Sequence, residues 1–340
     1  MLGTTENRPN DELLWQKVIL KYAHPDLHKS IWQIINSFVP FVILWYLMYR
    51  SLAYPYWTTL LLAVLASGFQ IRLFIIFHDC GHNSFFRSKR ANINTGVLTG
   101  ILTLTPYYPW HHYHAYHHIT AGNLDKRGKG DITTLTVDEY LKSSEREKLI
   151  YRSFRNPLIM FLLGPIHVIF IKNRFTDRTM TLSEKKYVYF TNLALLLLVT
   201  CISMLIGLKA FLLTLLPIIY IAQSIGIWLF YIQHQFEGVQ WERGNAWDYK
   251  NAAFTNCSFL KLPRLLQWFT GNIGFHHVHH LGPRIPNYSL ESCYNEYDEF
   301  RTVKPVLLST AFKAMFLSLW DEAGRRLISF RELKTGMSNN

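Results

Sequence analysis

The sequence predicts an all-α membrane protein, with four transmembrane helices in two hairpins and a helical cap that carries a histidine-rich site. Three observations predict it. Four apolar runs are each long enough to cross a bilayer. Lys and Arg gather almost entirely on one side of those runs. Twelve of the 15 histidines fall in four short clusters just beyond, or between, the same runs.

The spans come first. Of 340 residues, 49% are hydrophobic and 15% aromatic. The apolar runs cover about 31–49, 52–76, 187–207 and 210–232, and about 20 apolar residues in a helix cross the ~30 Å hydrocarbon core. Tiny loops around Arg50 and Lys209 pair them into hairpins. Residues 1–30 are polar and lack the apolar centre of a cleaved signal, so the first run is expected to act as its own insertion signal. Residues 95–105 and 157–171, the latter interrupted by Gly164-Pro165, are too short to span comfortably and read as interfacial or re-entrant segments.

Orientation follows from charge. Thirty-two of the 35 Lys and Arg lie in residues 1–30, 78–186 and 234–340. One lies in each hairpin loop, and Arg72 sits within the second run, where snorkelling would mark the membrane edge. The positive-inside rule places the 32 in the cytoplasm. The expectation is a single plasma-membrane domain with both termini cytoplasmic and a cytoplasmic cap formed by 78–186 and 234–340. The net charge of +12 also favours anionic lipid and acidic protein partners. No nucleic-acid motif and no internal repeat is visible. Cys80, Cys201, Cys257 and Cys293 form no C-x-x-C and should stay reduced in the cytoplasm. LWDEAGRRLISF, near the end, reads as a short hairpin around Ala323-Gly324.

The histidine clusters carry the chemistry. HDCGH holds His78 and His82 four residues apart; HAYHH (His114, His117, His118) and HHVHH (His276, His279, His280) repeat the spacing i, i+3, i+4. On a helix these positions share one face. His234 closes the fourth run. Neutral imidazole is the commonest protein metal ligand, and so many exceed the four places of one closed zinc site. Eight or nine imidazoles therefore point to two metals above the headgroups. His111, His112 and His277 fall off the spacing and read as supporting or surface residues, while His24, His28 and His167 stand alone. Asp79, inside the first box, and Asp125 and Asp131, after the second, are candidates to orient ligating imidazoles; a polar turn is the alternative for the last two. Imidazole suits iron, copper, zinc and nickel alike. H-E-x-x-H and Glu-x-x-His motifs are absent.

The order HDCGH, HAYHH, a histidine after the last helix, then HHVHH resembles the membrane fatty-acid desaturases. NLDKRGKGD, RNPLIMFLLGP, SIGIWLFYIQHQFE and LLQWFTGNIGFHHVHH are similar to the acyl-lipid desaturases of bacilli, of the Δ5 type. The resemblance covers about residues 31–330. It implies two Fe ions, O2 as co-substrate, nine histidine ligands and a cis double bond placed in a saturated acyl chain of membrane phospholipid. One departure stands out. Where acyl-CoA relatives carry an asparagine that holds a metal-bound water, four residues before the ninth histidine, this chain has Phe230; Gln233 is the substitute candidate. The chain has no H-P-G-G haem motif, so an external donor is expected, ferredoxin or flavodoxin. Lys126, Arg127 and Lys129 are the docking candidates. Two other readings compete. An acyl or carotenoid hydroxylase would use the same boxes. A metal transporter would place ligands near mid-membrane, where these runs hold no box histidine.

Overall fold

The computed structural model describes residues 9–338. Helix α1 (Pro9–Tyr22) leads into α2 (Leu27–Ser51), whose N-terminus is capped by the Asp26 carboxylate accepting from Lys29 N at 3.1 Å. A turn holding Pro55 connects α2 to α3 (Trp57–Gly81). The expected start of this second span at 52 is thus corrected to 57, because the residue before a proline avoids the helical region. Helices α4 (Lys89–Leu102) and α5 (Tyr107–Thr120) lie against the end of α3, followed by strand β1 (Leu135–Thr136), α6 (Val137–Lys142) and α7 (Glu145–Phe154).

Residues 159–172 then wind as π-helical turns on either side of α8 (Gly164–His167), bent by 65° from α7. Gly164-Pro165 does not break this segment. Pro165 has no N–H for the carbonyl of Phe161, and the Ser224 hydroxyl donates to that carbonyl instead, at 3.1 Å. Tyr220 donates to the neighbouring Leu162 carbonyl at 3.1 Å.

The second long hairpin is α9 (Leu182–Ile206) and α10 (Leu208–His234). Its loop, expected around Lys209, is the single residue Gly207 at φ +84°, a conformation that glycine adopts without Cβ strain. Pro217 inside α10 leaves the Leu213 carbonyl without its helical donor, and the Tyr56 hydroxyl supplies one at 3.0 Å. Four helices, α2, α3, α9 and α10, are long and apolar enough to span a membrane. Helices α3 and α10 run past the expected apolar windows into polar residues, α3 ending on HDCG and α10 on His234.

The remainder of the cap comprises α11 (Tyr249–Thr255), β2 (Phe259–Leu260), α12 (Arg264–Phe269), α13 (His276–Leu281), α14 (Leu290–Glu296), β3 (Pro305–Val306), α15 (Leu308–Ala314), β4 (Leu317–Asp321), β5 (Arg326–Ser329) and α16 (Phe330–Ser338). Strands β4 and β5 form the hairpin read around Ala323-Gly324, and β1 joins it in parallel through β4. The mostly helical fold therefore carries a small sheet on its cap.

Two buried arginines tie these parts together. Arg155 donates to the Tyr231 hydroxyl (3.1 Å), Gln235 Oε1 (2.9 Å) and the Leu317 carbonyl (2.8 Å), joining the end of α7 to α10 and β4. Arg155→Ala leaves Gln235 Oε1 buried without this donor, at ~1–3 kcal/mol, while the Tyr231 hydroxyl still donates to the Leu317 carbonyl at 2.7 Å; a drop in the thermal midpoint of the detergent-solubilised protein is expected, and an unchanged midpoint would refute this role. Arg72 does not snorkel. It is buried, with its guanidinium 3.7 Å from the Trp268 ring, donating to Ser37 Oγ and Asn36 Oδ1 at 3.2 Å and to the Trp268 carbonyl. Its partners come from α2, through Asn36 and Ser37, and from α12, through Trp268.

Candidate metal centre

Four chain segments bring histidines to one place. His78 sits on the last turn of α3 and His82 caps it. His114, His117 and His118 lie on α5, His234 is the final residue of α10, and His276, His279 and His280 lie on the short α13. That last helix is seated by Phe275, stacked on Phe259 with centroids 5.0 Å apart, and by Leu260 N donating to the Gly274 carbonyl at 2.8 Å.

The nine imidazoles form two groups. His78, His82, His114, His118 and His279 make one; His117, His234, His276 and His280 make the other. Within each group one nitrogen per ring lies within 4.8 Å of all the others. The i, i+3, i+4 spacing explains the split. On α5, His114 and His118 face the first group while His117 faces the second; on α13, His276 and His280 face the second and His279 the first. His118 and His280 stack across the divide, with centroids 4.1 Å apart.

The chemistry of this donor set fits metal. His78 Nδ1 lies 3.1 Å from Asp79 Oδ1, and His234 Nδ1 lies 3.1 Å from both the backbone carbonyl and Oδ1 of Asn256. These partners accept, so each Nδ1 carries the proton and each Nε2 presents a lone pair inward. His234 Nε2 faces His117 Nε2 and His276 Nε2, both at 3.0 Å; His118 Nε2 faces His114 Nε2 at 3.2 Å and His279 Nε2 at 3.1 Å. The Nε2 atoms of His82 and His280 are buried with no hydrogen-bond partner among the described residues. Burial, and then the neighbouring rings, hold His82, His114, His117, His118, His276, His279 and His280 well below the usual imidazole range, in the neutral form that binds metal.

The profile of the family described as Fatty acid desaturase matches residues 51–307. The "Fatty acid desaturase" of Bacillus subtilis (strain 168) is 49% identical over 318 residues, 94% of this chain and 90% of that protein. The chain belongs to the fatty acid desaturase family. It is an oxidoreductase of that kind, embedded by its apolar helices. More distant relatives include an "sn-1 acyl-lipid omega-3 desaturase (ferredoxin)" of Synechocystis sp., 28% identical over 69% of this chain and 64% of its own length. An "sn-1 oleoyl-lipid 12-desaturase" of a Picosynechococcus species is 25% identical over 72% of this chain and 71% of its own length.

In this desaturase the groups around the rings divide into those that reach a histidine and those that do not. Asp79 reaches His78, and its other oxygen accepts from Asn287 N at 2.7 Å and Asn287 Nδ2 at 2.8 Å. Asn287 in turn pairs its amide with that of Gln33 on α2 at 3.1 Å. Asp125 does not reach an imidazole: it pairs with Arg243 at 2.7 Å and accepts from Gly244 N. Asp131 accepts from Gly128 N at 2.7 Å, the polar-turn alternative, while burial raises its pKa. Gln233 points its amide at the Ile273 carbonyl, 3.4 Å away. Phe230 sets its ring 5.2 Å from His117 and 5.9 Å from His234, an apolar edge on the second group. His277 is buried among Phe259, Tyr294 and Phe300, which with desolvation lowers its pKa to about 4. His111 stacks on Tyr107, and His112 Nδ1 lies 2.9 Å from Glu184. His24, His28 and His167 are exposed and away from both groups. Asn256 and Asn287 escape sequence reasoning, because no spacing rule links them to the histidines they support.

Of the docking candidates, Lys126 and Lys129 are exposed, the latter 4.9 Å from the Tyr116 ring. Arg127 is not free, because Glu139 takes its guanidinium in a two-pronged pair.

Proposed function

We propose that the protein is an O2-dependent acyl-lipid desaturase that places a cis double bond, at Δ5, in a saturated chain of membrane phospholipid. The observation that carries this reading is the five-plus-four grouping of neutral imidazoles at the ends of membrane helices. Two irons, when bound there, supply the oxidation of an unactivated methylene that no side chain can perform. Two hydrogens leave adjacent carbons, and O2 takes them, with two further protons and two donor electrons, to give two waters.

The chain's own residues do the rest. His78, His82, His114, His118 and His279 hold one ion; His117, His234, His276 and His280 hold the other. Asp79 and Asn256 fix the tautomers of His78 and His234. Trp110, stacked on His114 with centroids 4.3 Å apart, and Phe230 keep water from the rings. In this reading the spans cross the plasma membrane with the histidine face and both termini in the cytoplasm, an orientation that the Lys and Arg distribution supports.

Expression in a host with only saturated lipids tests this reading. Mass spectrometry should find chains lighter by two hydrogens, with the bond at Δ5. Chains heavier by one oxygen would identify a hydroxylase instead.

Electrons come from ferredoxin or flavodoxin, the former named in the cyanobacterial relative. Both are acidic, and the exposed Lys126 and Lys129 follow the second histidine box directly. The double substitution Lys126→Glu/Lys129→Glu should lower turnover several-fold with the protein donor and flatten its dependence on salt, at constant iron content. Full turnover, or an unchanged salt dependence, would place docking elsewhere.

A further inference from the structure

On the histidine face, beside α2 and α12, a cavity of about 880 Å³ opens. Its lining holds four cations, Lys29, Arg72, Lys261 and Arg264, against one carboxylate, Glu291. Nothing in the metal centre uses these four charges. The Lys29, Lys261 and Arg264 side chains are exposed, while Arg72 is buried behind them.

The cavity sits at the height of the headgroups. Lys29 belongs to the first turn of α2, the end that faces the metal centre, since the neighbouring Ser30 hydroxyl donates to the Phe85 carbonyl just beyond His82. On α12, Leu265 is 67% exposed, and Trp268, with one face over Arg72, stays 39% exposed and lines the cavity with the exposed Trp32 of α2. Exposed Trp and Leu beside Lys and Arg are the composition of a membrane interface. Arg72, clamped between α2 and Trp268, holds α12 at that level.

The cavity also reaches the metal centre. Asn287, on its wall, donates to the Asp79 carboxylate that holds His78; Phe275, also on the wall, directly precedes His276. A second lining residue, Gln267, keeps its Nε2 buried with no partner among the described residues. A donor left unpaired beside four cations suits an anion with several oxygens.

We infer that this cavity seats the phosphodiester of the phospholipid whose chain is desaturated, with Lys29, Lys261 and Arg264 taking its oxygens. The inference rests on the acyl-lipid reading above. A lipid held here lies next to the ring-bearing wall, and Glu291 meets the ammonium of a zwitterionic headgroup.

The test compares two acyl carriers in the same vesicles. The iron-loaded full chain is given phosphatidylglycerol or diacylglycerol with identical saturated chains, in vesicles of fixed composition. Lys261→Glu/Arg264→Glu should lower the ratio of phospholipid to diacylglycerol turnover about tenfold, equivalent to ~1.4 kcal/mol, with iron content equal to wild type. Lys261→Arg/Arg264→Lys should restore the ratio. General attraction to an anionic membrane would depress both substrates together and leave the ratio unmoved, which overturns the proposal. Excess inorganic phosphate should compete and narrow the phospholipid preference; phosphate that slows both substrates equally would show a free-anion site that does not hold the lipid, overturning the proposal as well. Should the double variant lose iron, Lys29→Glu on α2 repeats the measurement. A wild type that desaturates neither lipid but acts on acyl-CoA refutes the acyl-lipid reading itself, a result distinct from an unmoved ratio.

Discussion

Replacing His279 with alanine is expected to cut desaturation to below about 1% of wild type, because in the proposed function a metal held by these rings carries the step no side chain can supply. His279 Nε2 lies 3.1 Å from His118 Nε2, and its ring centroid lies 4.6 Å from His78 and 4.9 Å from His82. It is the one member of α13 that faces the first group, so no neighbour on that helix can replace it. Ligands act as a unit, and partial activity is not expected from the remaining four. The measurement is product formation in saturated-lipid cells together with iron per membrane-inserted chain; iron should fall as activity does. His167→Ala is the contrasting variant, exposed and remote, and should retain wild-type product. An active His279→Ala enzyme with full iron would dismantle the assignment of the first group.

Asp79→Ala is the second large effect. It removes the acceptor of His78 Nδ1 and strips two hydrogen bonds from Asn287. Outer partners of metal-binding histidines are worth about 10–100-fold in affinity or activity, and a loss in that range is expected. Asp79 is a positioning residue, so its signature must differ from that of a packing defect. Asp79→Asn, which keeps an oxygen for the imidazole, should recover part of the activity, and iron affinity should follow the same order. If the asparagine and alanine variants were equally inactive while both held full iron, positioning through His78 would be wrong.

Much of this was legible in the sequence for a simple reason. Apolar length and charge bias are one-dimensional signals, so the spans and the shared face of the histidine clusters could be read without coordinates. Helical spacing likewise directs His114 and His118, or His276 and His280, to a common side. That spacing also sets His117 and His279 apart from their neighbours; that His78 and His82 join one group and His234 the other was not legible, because it depends on where α3 and α10 end beside α5 and α13. Asn256 and Asn287 were invisible for the same reason, lying in turns that reach the rings only after the cap folds. Asp125 and Arg127 were misjudged by proximity in sequence: each is satisfied by a partner far along the chain or across a turn, Arg243 and Glu139. Arg72 was misjudged by depth, since hydropathy cannot foresee that Trp268 would pack back onto α3.

The two hydroxyls that serve carbonyls at proline gaps have a consequence beyond satisfying them. Tyr56 holds α10 at Leu213, and Ser224 of α10 holds Phe161. Leu213 lies about 30 Å along the helix from His234. Helix α10 is thus indexed at two depths against its neighbours, and it cannot slide without breaking a bond in a medium that offers no replacement. A slip of one residue is ~1.5 Å, comparable to the step between successive carbons of an acyl chain. These bonds act as the zero mark of a ruler whose other end is the oxidising centre. Tyr56→Phe combined with Ser224→Ala should therefore blur where the double bond falls, giving products at adjacent carbons, before it slows the reaction; a single unshifted product would show that the scale is set elsewhere.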